Sequence, residues 1–384
     1  VGWADTLRHW RALHGFRRLP GPARQLVFYA ESGQDWHHWA PVIAQLVGPL
    51  RQPLCYVSSD PGDPGLQQQH PLIHPFCIGQ GLPLIWWFQF LRAGVLVTQM
   101  LDLHNLHLKR SVHPVHYVYM FHSLISTHMA DRADSFDHYD TILCAGPHQM
   151  AEIRRRELLH GLPAKHLVEH GYHRLEQLLA TRREPPPAGP GGLHVLLAPS
   201  WGERTILPVC GDRLVELLLG AGFRVTLRPH FQTRWTTPGL IDRIAARWRD
   251  EPRFRLVEQM GESDSLYDSH VMITDWSGAA HDYALGLEKP VLFIDVPPKS
   301  RNDSWQELGI EPFEMQVRSR LGALLAPERL DEAPGLVREL AGGQAALRAA
   351  IDELRRHCVY NLGRSGPAAA EAIAGILAGQ RGAA

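Results

Sequence analysis

Four short stretches bring together side chains suited to moving protons or holding phosphate. Phe121-His122-Ser123 directly follows an apolar run at 116–121. A histidine just past a strand end carries a pKa suited to general base work near neutrality, so His122 is the candidate base. The chain has 23 histidines, so position rather than residue type singles it out. Arg228-Pro229-His230 follows the run 224–228. Arg228 offers a planar fork to phosphate oxygens, His230 adds a donor, and Pro229 ends the strand. Thr274-Asp275-Trp276-Ser277-Gly278 follows the run 271–274 and leads into a helical pattern. Thr274, Asp275, Ser277 and Gly278 could line a phosphate site at that helix start, or simply cap the helix. Ser200, in Pro199-Ser200-Trp201-Gly202, could contact phosphate after the run 194–198. No GxGxxG, P-loop or GxSxG pattern is present, so no dinucleotide, ATP or hydrolase fingerprint applies. His104, His107, His113, His116, His122 and His128 form a crowd, but without the i,i+4 pair and acidic partner of a zinc hydrolase. No metal site is expected.

The elements that must position these residues alternate. Strand-like runs at 26–30, 54–58, 95–99, 116–121 and 141–145 are separated by helical patterns such as 36–46 and 148–159. A Pro/Gly-rich stretch at 185–192 lacks the donors that a helix or an interior strand needs, and reads as an interdomain linker. A second series follows, with strands expected at 194–198, 224–228, 255–258, 271–274 and 291–295. Helices are expected at 212–221, 238–249 and 279–285, and from 336 to about 378 with a break at 361–366. The fold class is α/β. Two Rossmann-like domains are expected to face a cleft, with ligands at the carboxyl ends of the strands. The domains are placed at 1–184 and 193–384, the second carrying the C-terminal helices.

Composition sets the remaining bounds. The chain has 384 residues, 45% hydrophobic and 21% charged, a length that suits two domains. Thirty-nine basic residues oppose 40 acidic ones, so no overall charge draws the protein to nucleic acid. Five scattered cysteines without a CxxC pair read as reduced thiols in a cytoplasmic protein. The apolar stretch 82–101 is interrupted by Gln89, Arg92, Gly94 and Gln99. It falls short of the roughly 20 mainly apolar residues a spanning helix needs, and reads as a buried helix followed by a core strand. A segment lying on a membrane surface is the alternative.

Taken in order, these motifs resemble the CDP-glycerol glycerophosphotransferase family, the polymerases and primases of teichoic-acid-type polymers. Phe121-His122-Ser123 looks like the family's His-Gly-Thr motif, and Gly171-Tyr172-His173-Arg174 like its Gly-Tyr-Pro-Arg segment. Leu197-Ala198-Pro199-Ser200-Trp201 is similar to its Ala-Pro-Thr-Trp strand end, and Arg228-Pro229-His230 to its Arg-x-His motif. Ile273-Thr274-Asp275-Trp276-Ser277-Gly278, with Asp282-Tyr283 and Lys289-Pro290, resembles its Thr-Asp-Tyr-Ser-Ser…Phe-Asp…Lys-Pro block. Val359-Tyr360-Asn361-Leu362-Gly363 resembles its C-terminal Tyr-Asn-x-x-Gly. The chain departs at Ser123, at Gly202 and at His281, and the first 110 residues show no match.

The resemblance implies a GT-B fold, with acceptor in the first domain and donor in the second. The implied activity is transfer of glycerol phosphate, or a related polyol phosphate, from a CDP-activated donor. The acceptor would be a hydroxyl of a cell-surface polymer or a lipid-linked molecule, as in teichoic acid or capsule polysaccharide assembly. His122 would be the base, His230 a catalytic phosphate ligand, and Ser200, Arg228, Thr274, Asp275, Ser277 and Gly278 the donor-binding set. Neither cofactor nor metal is implied. The expected location is the cytoplasm, with peripheral contact at the inner face of the cell membrane. The alternatives are a GT-B enzyme using a UDP- or GDP-sugar, and a non-catalytic GT-B module binding a glycan.

Overall fold

A computed structural model describes residues 3–189, 192–258 and 264–382. The chain divides into two compact units, 1–174 with 358–384, and 175–357. Each is built on a parallel sheet.

In the first unit the strands are β1 (Leu26–Ala30), β2 (Leu54–Ser58), β3 (Ile73–Cys77), β4 (Val95–Thr98), β5 (His116–Met120), β6 (Thr141–Cys144) and β7 (His166–Glu169). Their order is β3-β2-β1-β4-β5-β6-β7, and every pair is parallel. Strands β1, β2, β4 and β6 are buried along their whole length, as strands covered on both faces must be. In the second unit β8 (His194–Leu197), β9 (Arg224–Leu227), β10 (Phe254–Leu256), β11 (Val271–Thr274), β12 (Val291–Ile294) and β13 (Gly322–Leu325) run in the order β10-β9-β8-β11-β12-β13. Strand order reverses beside β1 in one sheet and beside β8 in the other. Each reversal leaves a crevice at the carboxyl ends of the strands, where α/β sheets of this kind bind ligands.

The division of the chain differs from the boundary expected at 185–192. The first crossing comes earlier, at Arg174–Leu175, within the helix His173–Thr181. The reason is packing. Leu175 and Leu178 are buried, and a Cβ on Gly286 would lie 2.7 Å from Leu178 Cβ, so this helix fits against a glycine of the second unit. Residues 185–189 belong to that unit too, and Gly189 pairs with Gly192. Pro190 and Gly191 of the expected linker lie outside the described residues.

The chain crosses back at His357–Cys358. The last helix, Ser365–Gly382, joins the first unit rather than the second. Its Ala369, Ala370, Ile373 and Leu377 are buried in one core with Trp39, Val42 and Ile43 of the helix Trp36–Val47. Small residues allow the close approach: a Cβ on Gly366 would meet Pro41 Cβ at 3.2 Å.

The apolar stretch 82–101 forms the helix Leu82–Gln89 followed by β4. The helix is half-buried rather than buried: Trp87 and Phe88 face the core, while Leu82 is 72% exposed. Among the described residues no helix is long and apolar enough to cross a membrane.

Candidate functional site

In the first unit His122 stands just past β5, at the carboxyl end of the sheet. The backbone there is pinned by the helix Pro147–His160. Buried Gln149 donates from Nε2 to the carbonyls of Ser123 (2.9 Å) and Ile125 (3.3 Å), and its Oε1 accepts from the Ala145 amide (2.8 Å). Buried Glu152 accepts from the amide and the hydroxyl of Thr127, at 2.6 and 2.8 Å. These two helix side chains fix the loop that carries the histidine. Neither stood out in the sequence, because a glutamine and a glutamate on a helix read as a solvated face.

The His122 ring lines a pocket with His38, Phe121, His170, Tyr172 and Ser365. Its Nδ1 is buried with no hydrogen-bond partner among the described residues. The rings of His38 and His122 lie 5.1 Å apart between centroids. Burial lowers the His122 pKa to about 4. Burial, then the charge of His122, lowers that of His38 to about 3. Both rings are therefore neutral at neutral pH, and the pKa of His122 lies below the near-neutral value expected from its position, because burial disfavours the imidazolium. An anion in the pocket would raise both values towards neutrality.

Next to Tyr172, which lines this pocket, motif segments far apart in sequence meet. Gly171 has φ +104°, and a Cβ there would fall 2.3 Å from the Tyr360 carbonyl oxygen. The Tyr360 amide donates to Ala145 O (2.9 Å) and Asn361 Nδ2 to Glu169 O (2.7 Å). The Gly171-Tyr172 and Tyr360-Asn361 segments are thus structural partners.

In the second unit the three remaining stretches gather at the carboxyl ends of β8, β9 and β11. Asp275 is the bracket that joins two of them. It is 1% exposed, and its carboxylate accepts from the amides of Ser200 (2.8 Å), Trp276 (2.8 Å) and Ile206 (3.0 Å). Thr274 Oγ1 donates to Ala198 O at 2.6 Å. Both side chains are therefore engaged in holding loops. Ser277 Oγ accepts from the Ala279 amide at 3.3 Å, and the helix beginning there runs only three residues before a π turn at Asp282–Gly286. Ser200 Oγ is buried with no partner among the described residues.

Arg228 follows β9 and leads into His230. The His230 Nδ1 accepts from the Gln232 amide (3.1 Å), its ring stacks on Phe231 at 4.5 Å, and Trp201 lies 6.0 Å away. Burial, then the charge of Lys299, lowers the His230 pKa to about 4. Two cations absent from the sequence motifs belong to this region: Lys299, with Nζ 3.7 Å from the Trp201 ring centre, and Arg318, 4.0 Å from that of Trp276. Only their contacts with motif tryptophans reveal them.

Other motif residues are architectural. Lys289 Nζ donates to the carbonyls of Leu266, Tyr267 and Ser269, and Tyr283 is fully buried beside Ser269. The histidine crowd disperses into separate contacts: His104 lies against His138, His113 accepts from Arg92, and His116 bonds Thr141. Among the described residues no group of three His, Cys, Asp or Glu side chains could hold a metal ion.

No family model matches the chain, and no curated protein matches it in sequence. Solved structures match it in architecture. The wall teichoic acid polymerase TagF covers 99% of this chain over 97% of its own, with TM-score 0.55 and 15% identity. A putative UDP-N-acetylglucosamine 2-epimerase from Listeria monocytogenes covers 92% over 96% of its own, with TM-score 0.55 and 14% identity. The S. aureus MnaA, in a co-structure with UDP, covers 90% over 94%, with TM-score 0.54 and 11% identity. The likeness runs through both parallel sheets and nearly the full length. The fold is GT-B. What the GT-B relatives share with this chain is the arrangement of strands and helices.

Proposed function

We propose that this GT-B protein is a transferase that moves glycerol phosphate, or a related polyol phosphate, from a CDP-activated donor to an acceptor hydroxyl. The carrying observation is His122: a neutral imidazole at a strand end, lining a pocket, with a buried nitrogen that no group among the described residues satisfies. Buried polar atoms are nearly always hydrogen-bonded, so an orphan in a pocket marks a place for a water or a ligand group.

In this reading the first unit takes the acceptor. His122 accepts the proton of the acceptor hydroxyl, the oxygen forms a bond to the donor's β-phosphorus, and the bond to CMP breaks with its electron pair on the CMP phosphate. The second unit takes the donor, with Arg228 and His230 at the phosphates and Ser200, Ser277 and Gly278 nearby. Thr274 and Asp275 act by holding those loops. Positioning and electrostatics carry most of such a phosphoryl transfer. TagF, a wall teichoic acid polymerase, shares this fold, which shows that the architecture can house such a reaction.

The protein would meet a membrane-bound acceptor at the cell membrane's inner face. Supporting this, Trp3, Leu7 and Trp10 on the helix Trp3–Arg18 are exposed beside Arg8, Arg11, Arg17 and Arg18, and Leu82, Ile85 and Phe90 are exposed nearby in sequence order on and after the helix Leu82–Gln89.

The test is CMP release from CDP-glycerol with a polyol-phosphate acceptor. His122→Ala and His230→Ala are each expected to cut turnover by a factor on the order of a hundred while the protein stays folded. Near-normal turnover removes that residue from the mechanism. A thermal-shift panel separates donor classes: cytidine nucleotides are expected to stabilise, and stabilisation by uridine or guanosine nucleotides alone points to a sugar transferase. No product from any donor points to a glycan-binding module.

A further inference from the structure

We propose that Lys299 is a ligand for the donor's diphosphate, presented on the face of Trp201. This rests on the reading that the second unit binds a nucleotide diphosphate.

Lys299 lies in the loop that follows β12, and Trp201 in the loop that follows β8. Its Nζ sits 3.7 Å from the Trp201 ring centre, close enough for a cation–π contact to hold the ammonium in one place. Among the described residues no carboxylate pairs with it, although it is half-buried. Its surroundings explain why a ligand is needed. Burial pushes its pKa down to about 8, and Asp275 is the group that favours the charged form. Asp275 makes no direct ion pair with it, and three backbone amides take most of that carboxylate's acceptor positions.

The same region is short of acceptors elsewhere. Arg318 is 4% exposed and rests on Trp276. Its Nη1 donates to Asp295 Oδ1 at 2.9 Å, but its Nε and Nη2 have no partner among the described residues. Ser200 Oγ, also 4% exposed, has none either. Thus two cations that both feel the Asp275 charge, and the hydroxyl of a residue whose amide bonds Asp275, face a shortage of oxygen acceptors and, at Lys299, of a paired negative charge. A diphosphate supplies both, with several acceptor oxygens and multiple negative charge. A sugar or a base offers acceptors without the charge.

The test is titration calorimetry of the full chain with inorganic pyrophosphate and, separately, CMP. Wild type is expected to bind pyrophosphate. K299M keeps the aliphatic stem on Trp201 and is expected to weaken pyrophosphate binding at least ten-fold, with a smaller effect on CMP. K299R should recover most of the loss. Thermal melting confirms folding, and K299Q replaces K299M if methionine destabilises the loop. Pyrophosphate affinity unchanged in K299M overturns the assignment and leaves the transferase reading standing. A wild-type protein that binds neither pyrophosphate nor any cytidine nucleotide overturns both.

Discussion

Burial lowers the pKa of His38 to about 3 and those of His122, His194 and His230 to about 4, which keeps these rings neutral. In the unfolded chain each takes up a proton near 6.5. Between those values the unfolded state binds more protons, so the stability they confer is complete above about pH 6.5 and is lost as pH falls towards 4. Glu31, raised to about 7, and Asp35, raised to about 6, act with the opposite sign, because burial protonates them first in the folded state. The histidines outnumber them. Thermal melts are expected to show a falling Tm from pH 6.5 to 4.5, and a flat or rising Tm there would mean that the rings are solvated. At this scale sequence and structure divide cleanly. The place of His122 just past β5 was legible because the apolar run that makes the strand stops there. The bracket role of Asp275 was not, since its amide partners lie 75 and 69 residues away.

Among the elements, β1, β2 and β11 match their expected bounds, and β4, β5, β6, β8, β9 and β12 differ by one residue at the end. The strands that escaped, β3, β7 and β13, all lie at sheet edges. Two of them carry no continuous apolar run, since β3 contains His74 and Pro75 and β7 begins with exposed His166, while the apolar β13 runs directly on from the helix Phe313–Leu321 with no turn residue between to mark it. The element that ties the last segment to the first unit is the turn at Gly171. A methyl group there would collide with the Tyr360 carbonyl, and its positive φ disfavours any other residue. Gly171→Ala is expected to cost about 1–3 kcal/mol in denaturant unfolding, with loosened packing of the helix Ser365–Gly382. Unchanged stability would show that the turn can shift without strain.

For the molecule as a whole, the exposed indoles and leucine of the helix Trp3–Arg18 make a surface prediction. Aromatic and aliphatic side chains flanked by arginines suit the interface of an anionic bilayer. The full chain is expected to sediment with vesicles containing anionic phospholipid. Joint replacement of Trp3, Leu7 and Trp10 by serine should abolish this, while CMP release from soluble substrates is retained. Wild-type protein left in the supernatant would remove the membrane contact.

Sequence alone determined the alternation of strand and helix, the parallel α/β class and the stretches that follow the carboxyl ends of strands, because periodicity and turn chemistry are local. Tertiary structure decided where the units begin and end. A Pro/Gly run records only that regular structure stops, whereas membership of a unit is set by burial, and the final helix buries its small and aliphatic side chains in the first core. It decided too that Thr274, Asp275, Tyr283 and Lys289 hold the framework and that Lys299 and Arg318 flank the motif tryptophans. Those roles exist only as contacts between residues the sequence keeps far apart.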